Sequence, residues 1–136
     1  ARRVIQLGLT PNVILTGWRE DVRAILSISD VFVHCPTTFH EGLGIANLEA
    51  MAMAKPTVVS DNGGLPDAVV DGVTGFVVPP GNIEKLSATI LRLLRDETLA
   101  RTLGRNARQR VEKDFDATKQ VARMERLFED MLASPA

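Results

Sequence analysis

Four short runs of apolar, largely β-branched residues constrain this chain most: NVIL (12–15), VFVH (31–34), TVVS (57–60) and FVV (76–78). None alternates apolar with polar. A strand with one wet face must alternate, because successive side chains point to opposite sides of a sheet. Near-continuous hydrophobicity predicts strands covered on both faces, as in a parallel sheet. Segments with helical spacing fall between the runs. REDVRAILSIS sets Val22, Ile25 and Leu26 on one side, IANLEAMAMA follows a glycine-rich loop, and LPDAVV is a short helix. The order βαβαβαβ predicts an α/β domain with helices on both faces of the sheet and right-handed crossovers.

The last third changes character. Asn82 is placed to cap a helix running to about Arg95, with Ile83, Leu86, Ile90, Leu93 and Leu94 as its buried stripe. Asp96 caps a second, to about Lys113. Asp116 caps a third, from about Ala117 to Leu132, with Val121, Met124, Leu127, Phe128 and Met131 turned inward. The opening ARRVIQLGL reads as a helix tail ending near Gly8. Four strands also make a small sheet for a doubly wound domain. The expectation is one partial domain over 1–136 that lacks its first strands.

Composition narrows the classes. With 136 residues there is material for one core, and a net charge of −1 offers no basic field for nucleic acid. The arginines of the last third alternate with acids and read as a solvated helix face. The single cysteine, Cys35, excludes an internal disulfide and is expected as a buried, inert thiol in a reducing compartment. No apolar run approaches the roughly 18 residues of a membrane helix, and no signal peptide opens the chain. A soluble, cytoplasmic protein is expected.

The segment EGLGIANLEAMA, Glu41 to Ala52, carries the chemistry. It lies beyond the carboxyl end of the strand at 31–34, where parallel sheets bind ligands. The N–H groups of Gly44, Ile45 and Ala46 open a helix and have no intrahelical acceptor, so they form an anion site at the positive end of the helix dipole. Glycines at 42 and 44 let the backbone approach a ligand closely. Two carboxylates, Glu41 and Glu49, flank these donors. A carboxylate only accepts hydrogen bonds, so neither would hold phosphate. Both suit vicinal hydroxyls, and a sugar nucleotide carries such pairs on either side of its diphosphate.

From NVILTGWREDV to the helix after DFD, and above all over EGLGIANLEAMAMAKPTVVSDNGGLPDAVVDGVTGFVVPPGN, the chain resembles the donor-binding half of retaining GT-B glycosyltransferases of the family 4 group. That group carries a Glu, seven residues, and a second Glu, as Glu41 and Glu49 stand here. The resemblance implies a Rossmann-like C-terminal GT-B domain. It implies that Glu41 meets the donor-sugar hydroxyls, that Gly42, Leu43 and Gly44 line the sugar and diphosphate, that Ile45 and Ala46 offer N–H groups to phosphate, and that Glu49 holds the ribose diol. Gly17, Trp18 and Arg19 match the segment beside the nucleotide base, and Trp18 adds a surface for stacking. The donor would be a UDP- or GDP-linked sugar, with no metal and no other cofactor. Basic residues for the diphosphate, and the acceptor domain with its histidine, would lie in sequence absent here, as would any peripheral membrane contact. The closing helix would cross back onto that absent domain, and the fragment alone would be inactive and open to self-association. Ala54 departs from the usual Gly, and Asp67 from the usual Glu.

Two other enzyme readings stay open. An NAD(P)-binding Rossmann domain would use Gly42, Gly44 and Asp61, but the third glycine of its fingerprint is Asn47 and the two glutamates gain no role. A GT-B sugar-nucleotide epimerase shares the architecture but not this Glu spacing. His34 is expected as a packed, hydrogen-bonded histidine, His40 as a loop residue before Glu41 with an approach to the sugar as the lesser reading, DFD (114–116) as a helix junction, and DNGGLPD and DGVTG as turn chemistry.

Overall fold

The computed structural model describes residues 1–133. Two short helices, α1 (Arg2–Gln6) and α2 (Val22–Ile28), precede the sheet. Then follow β1 (Phe32–His34), α3 (Ile45–Ala52), β2 (Thr57–Ser60), α4 (Leu65–Ala68) and β3 (Gly75–Val78). Three helices close the chain: α5 (Ile83–Arg95), α6 (Glu97–Asp114) and α7 (Ala117–Ala133). The strands form one parallel sheet in the order β1-β2-β3, with Phe32 opposite Thr57 and Val58 opposite Phe76.

β2 is buried at every position, as its unbroken apolar run requires. Its successive valines serve opposite faces. Val59 packs with Met51, Leu65, Ala68, Val69 and Ala107, the layer of α3, α4 and α6. Val58 packs with Val78, Leu93 and Leu103, toward α5. Helix α6 thus supplies both clusters. It comes close because Gly104 has no side chain: a Cβ there would stand 2.1 Å from the Ala54 carbonyl oxygen. Ala54 itself takes φ +55, a left-handed conformation that costs an alanine about 1 kcal/mol. The usual glycine would avoid that strain, so this departure from the family pattern is felt in the backbone.

The three predicted caps are present. The side chains of Asn82, Asp96 and Asp116 accept from the N–H groups of Lys85, Leu99 and Lys119 at 2.9, 2.9 and 3.0 Å. Asp116 of the DFD segment therefore serves α7. Arg110 ties α6 to α4: its Nε donates to the Ala68 carbonyl at 2.9 Å and its Nη2 to that of Asp67 at 2.9 Å. The guanidinium also stands over the Phe115 ring, 5.7 Å from its centroid.

Several expectations are corrected. Residues 12–15 form no strand, and Ile14 is 87% exposed. A strand exists through its ladder, and among the described residues no strand pairs with this run. Ile83 and Leu94 of α5 and Val22 of α2 are exposed, so those stripes are narrower than their periodicity. In α7 none of Val121, Met124, Leu127, Phe128 and Met131 is buried. The stripe is there, but α7 leaves the domain at Asp116 and no described residue buries it. Cys35 is half-buried rather than buried; its thiol donates weakly to the Val58 carbonyl at 3.7 Å, and burial pushes its pKa up. Among the described residues no helix is long and apolar enough to cross a membrane.

Candidate functional site

The loop from Cys35 to Gly44 leaves the carboxyl end of β1 and enters α3. Gly44 caps that helix with φ +72, a torsion that favours glycine. A Cβ there would also lie 2.5 Å from Leu65 Cδ2, so the leucine would have to shift. The amides of Ile45 and Ala46 fall in the first turn and precede any intrahelical acceptor. Both residues are exposed, Ile45 by 73%. Asn47, Ala50 and Met51 turn into the core.

Glu49 lies on the exposed stripe with Ile45, Ala46 and Ala52, one turn from the free amides and about 7 Å along the axis from Gly44. Leu48, Ala50, Met51 and Ala52 make this helix apolar nearly all round, yet an exposed face exists, and Glu49 is its polar member among apolar residues. A solvated helix face normally carries several charges; this one carries a single charge, Glu49.

Glu41 is held from several sides. Its N–H donates to Asn62 Oδ1 at 3.2 Å, and its carbonyl accepts from the Gly64 N–H at 3.0 Å. Its Oε1 accepts from the Gly42 N–H at 3.1 Å, and its Oε2 lies 3.4 Å from His34 Nε2. Behind it the loop after β2 presses close. A Cβ on Gly63 would stand 1.9 Å from the Glu41 carbonyl oxygen, and one on Gly64 would stand 2.6 Å from that of Gly42. Ser60 adds a buried bond from its hydroxyl to the Pro36 carbonyl, 3.0 Å. The glycine pair in DNGGLPD is thus more than turn chemistry: two loops lie backbone against backbone. Sequence reasoning missed this clamp, and its one local signal was a second glycine where a turn needs one.

The segment 17–19 stands apart. Trp18 is 83% exposed. Arg19 forks onto Asp21, Nε to Oδ1 at 2.7 Å and Nη2 to Oδ2 at 2.5 Å, and holds that carboxyl below the usual range. Gly17 takes φ +64 in the same turn. Among the described residues no hydrogen bond or ion pair joins 17–19 to the loop at 41–46. His40 and Leu43 are exposed beside Glu41, while His34 is half-buried beneath it. A cleft of about 520 Å³ lies at the other end of the sheet among Asp30, Lys55, Pro56, Leu93 and Arg101, and shares no residue with this loop.

The family model for glycosyl transferases group 1 matches residues 2–110. The capsular polysaccharide biosynthesis glycosyltransferase CapM of Staphylococcus aureus is 36% identical over 82% of this chain and 29% of its own. The alpha-maltose-1-phosphate synthase of Mycobacterium tuberculosis is 42% identical over 83% of this chain and 32% of its own. Among solved structures, Anabaena HepE in complex with UDP and glucose superposes with a TM-score of 0.89 at 27% identity, over 95% of this chain and 35% of that one. The chain spans about a third of the length of the curated relatives it matches.

Proposed function

The chain belongs to the glycosyl transferases of group 1, with the fold of a GT-B C-terminal domain, and from that premise we propose that it is the donor-binding part of a retaining, family 4 hexosyltransferase. The parent enzyme would move a sugar from a UDP- or GDP-linked donor to an acceptor hydroxyl. The observation that carries this reading is the pairing of free helix amides at Ile45 and Ala46 with carboxylates on both sides, Glu41 in the loop and Glu49 one turn on.

In this arrangement the diphosphate lies against the amino end of α3. Glu49 accepts from the ribose diol and Glu41 from the sugar hydroxyls, while Gly42, Leu43 and Gly44 give the backbone room to close on the ligand. The base rests near Gly17, Trp18 and Arg19, with the exposed indole as its stacking surface. As the glycosidic bond breaks, the sugar gains oxocarbenium character and charge gathers on the departing diphosphate. The helix amides are aimed at that charge before it develops, which is how fixed dipoles lower a barrier. UDP and glucose in the HepE complex support a nucleotide-sugar ligand. Asn47 speaks against a dinucleotide fingerprint: its side chain is fully buried, with the amide on Met51 Sδ at 3.4 Å, where that fingerprint has a glycine.

Acceptor binding and transfer would need the acceptor domain, so the chain alone binds donor without transferring it. The donor is the only small molecule called for, and the setting is cytoplasmic. Ligand-observed NMR with UDP, GDP and NAD tests the site. UDP or GDP should bind, and Glu49→Ala should weaken binding roughly tenfold, the loss of a charge-assisted hydrogen bond. Selective NAD binding that ignores Glu49 would overturn the assignment.

A further inference from the structure

The geometry points to His34 as the residue that positions the Glu41 carboxylate, a role that rests on reading Glu41 as the donor-sugar contact. His34 ends β1, and its ring meets Phe32 edge-on, with centroids 6.4 Å apart and planes at 77°. The other side of the ring lies under the start of α3: Nδ1 is 3.7 Å from where a Cβ on Gly44 would stand. Nδ1 is buried and has no hydrogen-bond partner, whereas Nε2 faces Glu41 Oε2 at 3.4 Å.

A neutral imidazole has one N–H to place. At Nδ1 it would be buried with nothing to accept it. At Nε2 it points to a carboxylate, which does nothing but accept. The ring therefore carries its proton on Nε2 and presents it to Glu41. The distance is longer than a closed hydrogen bond, as is common before a ligand draws such groups together. Glu41 Oε1 is already met by the Gly42 N–H. Each oxygen thus has one partner in the protein and one acceptor position left for a sugar hydroxyl. A glutamate on a loop would otherwise lose much rotamer freedom on binding; held between His34 and Gly42, it is in place beforehand.

A ring that only fills space beneath the loop makes a different prediction, so donor and nucleotide affinities separate the two roles. Isothermal titration of the protein with UDP and UDP-glucose, and with GDP and GDP-mannose, compares wild type with His34→Leu and His34→Gln. His34→Leu should weaken the sugar nucleotide roughly tenfold while leaving the free nucleotide within about twofold. His34→Gln, which can offer an amide N–H from a similar place, should recover most of the loss. Equal weakening of nucleotide and sugar nucleotide, or glutamine no better than leucine, would overturn the role. A long-range 1H–15N spectrum of the unliganded protein reads the contact without any donor. The Nε2–H tautomer should dominate in wild type and give way to a mixture in Glu41→Ala; an Nδ1–H tautomer in wild type would refute the positioning even if donors bind. Wild type that binds neither nucleotide pair, with the Nε2–H tautomer in place, would instead bring down the donor-site reading on which the role rests.

Discussion

Gly63 and Gly17 carry nearly the same backbone torsion, φ +57 and +64, in opposite surroundings. A side chain on Gly63 would strike the Glu41 carbonyl at 1.9 Å; around Gly17 there is nothing within 4 Å. The same contrast runs through the whole molecule. From β1 to the end of α6 the chain is interlocked, with its two apolar clusters and its paired loops. Before α2 and after Asp116 it carries apolar residues that stay exposed among the described residues, Ile14 and Trp18 at one end and the α7 stripe at the other. Glycine is demanded by space as well as torsion at Gly63, and by torsion alone at Gly17.

Gly63→Ala should be the most damaging way to probe this difference. It adds a steric clash to left-handed strain, a loss of about 4 kcal/mol in urea denaturation, against about 1 kcal/mol for Gly17→Ala. Similar values for the two would show that the loops are not held together in solution. Leucine and phenylalanine truncations sharpen the same contrast. Leu103→Ala, at a fully buried position, should cost about 3 kcal/mol, while Phe128→Ala should stay within about 0.5 kcal/mol. A large loss at Phe128 would mean that the α7 stripe is covered, by a second copy or by returning onto the domain. One change should instead stabilise. Ala54→Gly relieves a left-handed alanine inside the interlocked region and should raise stability by about 1 kcal/mol in calorimetry; no gain would mean that the turn holds this shape without strain.

The sequence was most readable where the cause of structure is local. Three strand runs, the glycine before α3 and the caps at Asn82, Asp96 and Asp116 all act through neighbours a few residues away. It was least readable where the cause is distant. NVIL has strand composition, but a ladder needs a partner, and composition does not supply one. The α7 stripe shows that a face is apolar without showing what meets it. The site divides in the same way. Gly42, Gly44 and the two glutamates stand out by spacing, whereas the grip of Asn62, Gly63 and Gly64 on Glu41 joins residues some twenty positions apart. His34 was read as a packed histidine; the strand's alternation could not reveal that its ring looks toward Glu41.

The bonds of Arg110 to the α4 carbonyls have a mechanical meaning. α4 begins right after Gly64, Gly64 donates to Glu41, and Gly104 seats α6 on the turn at Ala54. These contacts link the position of α6 to that of the loop at Glu41. Beyond Phe115, whose ring packs on the core beneath Arg110, the junction at Asp116 is spanned by exposed side-chain bonds such as Lys119 Nζ to the Glu112 carbonyl and Gln120 Nε2 to that of Asp114. A hinge there would let α7 travel while the geometry around Glu41 stays fixed.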